Sequence, residues 1–413
     1  MEFRVVDPSS IQSERRANNY SPLVCYSYIL NTILGVGCLG IPYAVYHAGL
    51  VLGIVMLVGG SFLSYLTVLW TCESLERKQA ADERRRLLHS DRDPVEVAGL
   101  CHEYLGPMAG RLYDVSLYCY GYGVLVAFAQ VFIHAVAAQF PHLPLPAVGA
   151  LFATVVVPLT CIDLTEQIVA QLIMTGLRFV ALALMCGSLL LNLLVGPSPT
   201  TPRAALPLVD VNGVGLLVST VVFAQFCHFC VPDLVAPLSN KAAAPTIFAA
   251  AMASTTVAYV VLGILSALVF GADVLTSVNL NHFYALPPPL ALFVLLFPAA
   301  DTLSAFPLIA IGVANTLMAA THRSRLFSRL AVAIPPIVLG LVVHDLTAIL
   351  QWIGVFGVYL VLVAPALLHL HVEATDAKSI RSTSSSFLSH RGWAYTVLAA
   401  AAAATLIMIA ELV

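Results

Sequence analysis

Two apolar stretches of the 413-residue sequence contain clusters of residues that interrupt a helix. Residues 31–42 (NTILGVGCLGIP) hold three glycines and a proline, and residues 226–232 (FCHFCVP) end in a proline. Proline removes a backbone donor and clashes with the preceding helical turn. Where water is scarce, the N–H and C=O groups freed by a break need partners from the protein, from water or from a bound solute. Both stretches are therefore candidates for a binding site.

A few ionisable and polar residues also lie within apolar stretches. Asp301 is the most informative, because a lone carboxylate in such a place usually faces a cavity or a partner. We consider three roles for it: a proton carrier, a sodium ligand together with Thr302 and Ser304, or a packing carboxylate near a water-filled vestibule. His228 is either a proton-coupling group or a hydrogen-bonded structural histidine. Asn31 either repairs a broken backbone or offers its amide oxygen to an ion.

The composition identifies a lipid bilayer as the main solvent of this chain. Hydrophobic residues make up 60% of the sequence and charged residues only 10%, whereas soluble domains carry about 25% charged residues. The formal net charge is −3 and the sequence has no basic stripe, so we expect no nucleic-acid partner. It has no H-E-x-x-H motif and no nucleophile and base at useful spacing, so we expect neither an enzyme nor a resident cofactor or metal.

Eleven segments are apolar and long enough to cross a bilayer. If the N-terminus is cytosolic, 17 of the 19 basic residues fall on the cytosolic side, in accord with the positive-inside rule, and the C-terminus lies on the opposite side. Arg203 lies outside, and we place Arg178 near the cytosolic boundary because the fifth span is long. The predicted spans are 21–46, 48–73, 111–138, 145–163, 166–196, 213–238, 246–271, 287–320, 327–343, 346–370 and 392–412.

These spans divide the chain into a cytosolic tail (1–20), a core of ten helices (21–370), a Ser-rich cytosolic linker (371–391) and an eleventh helix (392–413). Within the core, the first repeat covers about 21–196 and the second about 213–370. The two interrupted spans are five crossings apart, and this odd number inverts the second group of five. Transporters built in this way bind substrate at discontinuous helices, with half-helix N-termini facing a carboxylate and free carbonyls facing cations. The alternative is that the glycines allow close helix packing and the prolines only kink the helices.

An ordered set of short motifs runs along nearly the whole chain. Besides residues 31–42, it contains Cys227-His228 followed by residues 231–241 (VPDLVAPLSNK), residues 296–298 (LFP), 306–310 (FPLIA), 335–336 (PP) and 344–346 (HDL). With this set the chain resembles the amino acid/auxin permease family, and most closely its transmembrane protein 104 branch. The resemblance implies an all-α membrane protein with a LeuT-like fold of five plus five inverted helices and one extra helix.

Carried over by position, the resemblance also implies which residues bind substrate. In relatives, the unwound stretch of the first span offers N–H groups to the substrate carboxylate. The residues of this chain that match that stretch are Gly35, Val36, Gly37, Cys38 and Leu39. The unwound part of the sixth span, which helps to bind the substrate amine and shapes the side-chain pocket, is matched by Cys227, His228 and Phe229. Val36 replaces the hydroxyl residue of the common pattern, so one hydroxyl contact is missing. Ala305 stands where sodium-coupled relatives carry a hydroxyl residue, which favours proton coupling.

Together these features predict a secondary active transporter of amino acids or similar small zwitterions that works by alternating access. The coupling ion is H⁺ or Na⁺, and the ion-coupling candidates are Asn31, Asp301, Thr302 and Ser304. The alternative with the same fold is an amino-acid sensor that does not transport. The predicted partners are a small-molecule substrate and the lipid bilayer of the plasma membrane or an endolysosomal membrane, while the oligomeric state and the substrate stay open.

Overall fold

The computed structural model describes residues 20–35, 37–86, 96–195, 206–276, 286–343, 346–375 and 387–412. Within these ranges the chain forms helices and no β-strand, with one isolated bridge between Tyr20 and Leu238. The α-helices are α1 (Pro22–Ile33), α2 (Gly37–Ala48), α3 (Leu50–Arg86), α4 (Val97–Tyr104), α5 (Pro107–Gln139), α6 (Leu145–Cys161), α7 (Ile168–Val195), α8 (Val214–Ala224), α9 (Val231–Val235), α10 (Ala244–Phe270), α11 (Pro288–Thr321), α12 (Arg325–Val342), α13 (Leu346–Val358), α14 (Ala364–Thr375) and α15 (Arg391–Leu412). Helices α13 and α14 are continuous through a π-helical turn (Tyr359–Val363).

Short 3-10 helices complete the fold at Leu164–Glu166, Val211–Gly213, His228–Cys230, Lys241–Ala243, Gly271–Thr276 and Phe387–Ser389. Nine helical segments of the described chain are long and apolar enough to cross a membrane. Helix α6 is a shorter apolar helix, and α1 and α2 have 12 residues each. Eleven crossings result if α6 counts as one crossing and α1 together with α2 counts as another. The count of eleven stays a prediction.

Helix α5 has several long helices as neighbours. It packs against α6, α11, α12 and α13, and α4 lies beside its beginning. The helices with the two interrupted stretches pack on each other, since α2 contacts α8, and α10 contacts both α1 and α2. Helix α7 closes one side of this group by packing against α1, α10 and α11. Helix α1 is therefore enclosed by α7, α10 and α11, whereas α8 packs against α2, α3, α13 and α15.

Helix α7 shows how the bundle hides its polar residues. Its exposed large side chains are apolar, as expected of a surface that faces lipid; they include Val169, Ile173, Leu190, Leu191 and Leu194. Its buried residues recur at intervals of three and four, which places them on one face of the helix; they are Gln171, Thr175, Arg178, Ala181, Leu182, Met185 and Leu189. The three polar residues of this face point towards α1 and α11.

The first interrupted stretch folds as two separate helices. Helix α1 ends at Ile33, and Leu34 has φ −82° and ψ 76°, outside the helical region. Helix α2 begins at Gly37, one residue after Val36, which lies outside the described residues. The glycines therefore coincide with a true interruption of the helix and not only with a kink.

The second interruption begins earlier than the sequence pattern predicts. Helix α8 ends at Ala224, and both Gln225 (φ −113°, ψ 14°) and Cys227 (φ −147°, ψ 6°) are non-helical. A 3-10 turn over His228–Cys230 then leads into α9. Pro232 lies in the first turn of α9, where its missing N–H group removes no helical hydrogen bond. The interruption thus covers most of the predicted stretch 226–232, and Pro232 lies at the start of the second half-helix.

The last helix is attached to the bundle by a buried polar cluster. The Ser389 hydroxyl donates to a Glu73 carboxylate oxygen, and the Nε2 atom of His369 lies 2.8 Å from the Ser389 carbonyl. The His369 ring stacks on Trp70 with 4.8 Å between centroids, and Trp70 donates its indole N–H to the Leu388 carbonyl at 3.1 Å. These contacts join α3 and α14 to the turn that precedes α15.

Candidate functional site

The two interruptions lie against each other at the centre of the bundle. A methyl group added at Gly37, the first residue of α2, would lie 3.3 Å from the Cα atom of Ala224, the last residue of α8. The hydroxyl of Tyr259 on α10 lies 2.8 Å from the Ile33 carbonyl and 3.2 Å from the Ala224 carbonyl, so it donates to the final residue of each half-helix. Tyr259 is fully buried. One side chain therefore connects the two breaks.

A guanidinium group lies directly behind the first break. Arg178 donates through Nε to Asp301 Oδ1 and through Nη1 to Asn31 Oδ1. Its Nη2 atom lies 2.8 Å from Ser304 Oγ and 3.3 Å from the Asn31 carbonyl. Arg178 and Asp301 are each 1% exposed. The expectation that Arg178 lies near a boundary with water is wrong, because the carboxylate of Asp301 compensates its charge inside the bundle.

Two further residues of α7 hold Asn31 in place. The Asn31 amide donates to the Gln171 carbonyl at 2.8 Å and to Gln171 Oε1 at 2.7 Å. Thr175 donates its hydroxyl to Asn31 Oδ1 at 2.9 Å, so this oxygen accepts from both Thr175 and Arg178. Gln171 in turn donates to the Ser304 carbonyl at 3.2 Å. The last turn of α1 is thus joined to α7 and α11 by side chains whose polar atoms are almost all paired.

One oxygen of this cluster has no hydrogen-bond partner within the described chain. Asp301 uses Oδ1 for Arg178, whereas its buried Oδ2 is unpaired. A methyl group added at Gly35 would lie 3.3 Å from Oδ2, so this oxygen faces the first break. Thr302 points elsewhere, since its hydroxyl donates to the Ala299 carbonyl of its own helix at 2.8 Å. Of the predicted ion-coupling residues, the structure brings Asn31, Asp301 and Ser304 together and leaves Thr302 apart.

The second break is backed by neutral groups of α3. The Nε2 atom of His228 lies 2.7 Å from Thr67 Oγ1 and 3.2 Å from the Ser64 carbonyl. Because Thr67 donates its own proton to the Ser64 carbonyl, its oxygen accepts from Nε2–H, and Nδ1 is the unprotonated nitrogen. Ser64 also donates to the Gln225 carbonyl at 2.9 Å. His228 therefore points to α3 and acts as a structural hydrogen-bond donor in this state.

Aromatic rings fill the space beside the second break. The Phe226 ring lies 4.0 Å from Tyr120 of α5 and 5.1 Å from Phe229, centroid to centroid. Phe229 fits against α11 only because Gly312 has no side chain there, since a Cβ atom would lie 2.7 Å from the ring. Cys227 is fully buried beside these rings. The environment of the second break is apolar and uncharged at this point.

A second acidic group lies at one end of the bundle, just before α4. Glu96 is 5% exposed, and burial together with the negative charge of Asp233 raises its pKa well above the ordinary value. Asp233 accepts a hydrogen bond from Asn315 at 2.8 Å. Tyr113, Cys101 and Cys230 are also near these groups. The connection between α3 and α5 therefore carries a carboxyl group that is disfavoured in its charged form.

Sequence reasoning missed two residues that organise this site. The sequence analysis places Arg178 near the cytosolic boundary, although Gln171, Thr175 and Arg178 recur at helical spacing and so share one face of α7. That spacing was the available signal. Tyr259 carries no such signal, because a tyrosine in an apolar helix is more often a packing residue. Of the residues predicted to bind substrate, Val36 lies outside the described residues, as does the side chain of Leu39, while Gly35, Gly37 and Cys38 are buried at the first break.

Comparison with known proteins identifies the family of this chain. A family model described as transmembrane amino acid transporter protein matches residues 21–410. The chain belongs to this family. It is 22% identical to Transmembrane protein 104 of Mus musculus over an alignment of 438 positions, which covers 84% of this chain and 87% of that protein. It is 24% identical to a Transmembrane protein 104 homolog of Caenorhabditis elegans over 344 residues, which cover 72% and 68%.

The fold is also similar to a solved structure of MhsT in complex with L-phenylalanine. The TM-score is 0.60 at 12% identity, and the match covers 94% of this chain and 97% of that chain. The family resemblance and the LeuT-like, all-α fold expected from the sequence are confirmed. Membership of the family makes the protein an integral, multi-pass membrane transporter and not an enzyme. The boundaries of the domains and the roles of the site residues stay predictions.

Proposed function

We propose that this transporter is a secondary active carrier that works by alternating access. Its substrate is an amino acid with an uncharged side chain or a similar small zwitterion. The observation that carries the proposal is the meeting of two broken helices, joined by the Tyr259 hydroxyl on the Ile33 and Ala224 carbonyls. A broken helix deep in a bundle presents unpaired backbone groups, and these can bind the two charged ends of a zwitterion.

The arrangement offers a partner for each end of such a substrate. The N-terminus of α2 at Gly37 and Cys38 carries a partial positive charge and suits a carboxylate. An ammonium group can bind the free Oδ2 atom of Asp301, which faces the first break. The rings of Phe226 and Phe229 lie beside the second break and favour an uncharged side chain. MhsT, with a similar fold, is known in complex with L-phenylalanine, which supports a zwitterionic amino acid as the substrate class.

We further propose that the gradient of a proton or of sodium drives this movement and that the N-terminus is cytosolic. The distribution of basic residues supports this orientation, with 17 of 19 on one side of the predicted topology. Protease access to a tag at residue 1 and to a tag at residue 413, measured in sealed vesicles whose outer face is the non-cytosolic face, tests it. Cleavage of the C-terminal tag alone agrees with the proposal, and cleavage of the N-terminal tag overturns it.

Transport itself is tested with purified protein in proteoliposomes. A panel of radiolabelled amino acids is offered while a proton gradient or a sodium gradient is imposed separately. Accumulation of at least one amino acid above its equilibrium level supports the carrier. Saturable binding in detergent without accumulation under either gradient shows a sensor of the same fold instead. The absence of both binding and uptake would reject the site.

A matched pair of glycine variants tests whether uptake depends on the contact between the two breaks. Gly37→Ala places a methyl group 3.3 Å from the backbone of Ala224 and should abolish uptake, because neither backbone can give way without moving a helix. Gly187→Ala on α7 has no atom within 4 Å of the added methyl group and should transport normally. Equal uptake by the two variants would show that the contact between the breaks is not part of the transport path.

A further inference from the structure

The cluster behind the first break has the composition of a cation site. Five oxygens surround the guanidinium of Arg178: Asp301 Oδ1, Asn31 Oδ1, Ser304 Oγ and the carbonyls of Asn31 and Asp301. Carboxylate, amide, hydroxyl and carbonyl oxygens are the ligands that hard metal cations prefer. The sequence-based expectation of a sodium site at Asp301 and Ser304 therefore finds its oxygens, but a side chain of the protein already occupies the space between them.

We propose that Arg178 is a built-in cation that holds the place a sodium ion would otherwise take between α1, α7 and α11. The protein then needs no sodium to hold these helices together, and removal of the guanidinium opens a sodium site formed by oxygens of Asn31, Asp301 and Ser304. The inference concerns the ion of the transport cycle proposed above and so rests on that function for its relevance.

Charge balance supports this assignment. Asp301 is 1% exposed, and a buried carboxylate without a compensating cation is strongly disfavoured. Arg178 supplies that cation permanently, because a guanidinium does not lose its proton in proteins. Without Arg178 the cluster keeps one negative charge and its carbonyl dipoles, so a sodium ion or a proton must restore neutrality. The unpaired Oδ2 atom of Asp301 lies beside Gly35 at the first break, so the cluster still holds a carboxylate oxygen that no donor of the described chain uses.

Thermal unfolding of the purified protein in detergent tests the proposal without any substrate. Each variant is heated in sodium chloride and in choline chloride at equal ionic strength and at alkaline pH, so that general salt effects cancel and protonation of Asp301 does not compete. The wild-type Tm should be the same in both salts. The Tm of Arg178→Ala should be lower than that of the wild type in choline and should rise by about 2 °C in sodium, as expected when the ion exceeds its Kd about tenfold.

Two control variants isolate the cause of this response. Arg178→Lys keeps a positive charge in the cluster and should melt at one temperature in both salts. Arg178→Ala combined with Asp301→Asn removes the carboxylate together with the guanidinium and should also lose the sodium response. If Arg178→Ala does not fold, Arg178→Gln fills more of the space without a charge and should show the same preference for sodium.

Two results would overturn the proposal. One is a wild-type protein that sodium stabilises relative to choline, because the site would then bind the ion with Arg178 in place. The other is a folded Arg178→Ala or Arg178→Gln variant with the same Tm in both salts. Neither result bears on uptake in proteoliposomes, and a failure of uptake leaves the melting experiment interpretable, so the two proposals fail separately.

Discussion

The two breaks at the centre of the bundle are stabilised in different ways. Behind the first break, Arg178 and Asp301 form a buried ion pair whose neighbours Asn31 and Ser304 are fully engaged. Behind the second break, His228 and Gln225 make neutral hydrogen bonds, and each keeps one polar atom, Nδ1 or Oε1, without a partner in the described chain. A buried charge without its partner costs far more than a lost neutral hydrogen bond. We therefore expect the first break to be the rigid side of the site and the second break the adaptable side.

The largest effect is expected from removal of one charge on the rigid side. Asp301→Asn leaves the guanidinium of Arg178 buried without its anion and should lower the free energy of unfolding by about 3–5 kcal/mol and abolish gradient-driven accumulation. Thermal melts in detergent and uptake in proteoliposomes measure both effects. Combining Asp301→Asn with Arg178→Gln removes both charges and should restore much of the Tm. A single variant that melts like the wild type would show that the pair does not hold the first break.

The next effect concerns the residue that joins the two sides. Tyr259→Phe removes the hydroxyl shared by the Ile33 and Ala224 carbonyls and should cost about 1–3 kcal/mol, because both buried carbonyls lose this donor and Ile33 keeps only the Gly35 N–H. Substrate affinity should fall with it. Tyr113→Phe is the matched control, since Tyr113 is equally buried and its hydroxyl has no partner within the described chain. If both variants lose the same stability, the bridge between the breaks is not the cause.

A smaller effect is expected on the adaptable side. Thr67→Val preserves the shape of the side chain but removes the acceptor for His228 Nε2, and it should cost about 1 kcal/mol. The Tm should decrease only slightly, and transport should continue with a changed preference among amino acids. Competition uptake with the amino-acid panel measures that preference. If Thr67→Val lowered the Tm as much as Asp301→Asn does, the two breaks would not differ in how strongly they are stabilised.

The smallest effect depends on pH and lies outside both breaks. Burial and Asp233 raise the pKa of Glu96, so the folded protein binds its proton more tightly than the unfolded chain does. Stability from this group is therefore complete below the unfolded pKa of about 4.3 and decreases as the pH rises towards the higher folded pKa. Glu96→Gln should match the wild type in acid and melt at a higher temperature at alkaline pH. Melting curves that stay parallel at every pH would contradict this.

Much of the architecture followed from simple patterns. Glycines at 35, 37 and 40 predicted the first break, and the structure ends α1 at Ile33. The stretch 226–232 predicted the second break, and the structure ends α8 at Ala224 and begins α9 at Val231, with Pro232 in the first turn of α9. The sequence identified Asp301 as a lone carboxylate in an apolar helix. Its partner Arg178 was expected near the cytosolic boundary and lies inside the bundle instead. A charged residue in an apolar helix has a cheap location at the membrane boundary and another beside a counter-ion, and only the packing of α7 on α11 decides between them.

What the sequence determined by itself is the solvent, the family and the existence of two interrupted helices, because these depend on composition and on residues next to each other in the chain. The tertiary structure decided how the interruptions are satisfied. Arg178 and Asp301 are 123 positions apart and Tyr259 is 226 positions from Ile33, so their contacts exist only once the helices have assembled. Hydrogen bonds and ion pairs act over a few ångströms, and no local pattern along the chain records which distant side chains come that close.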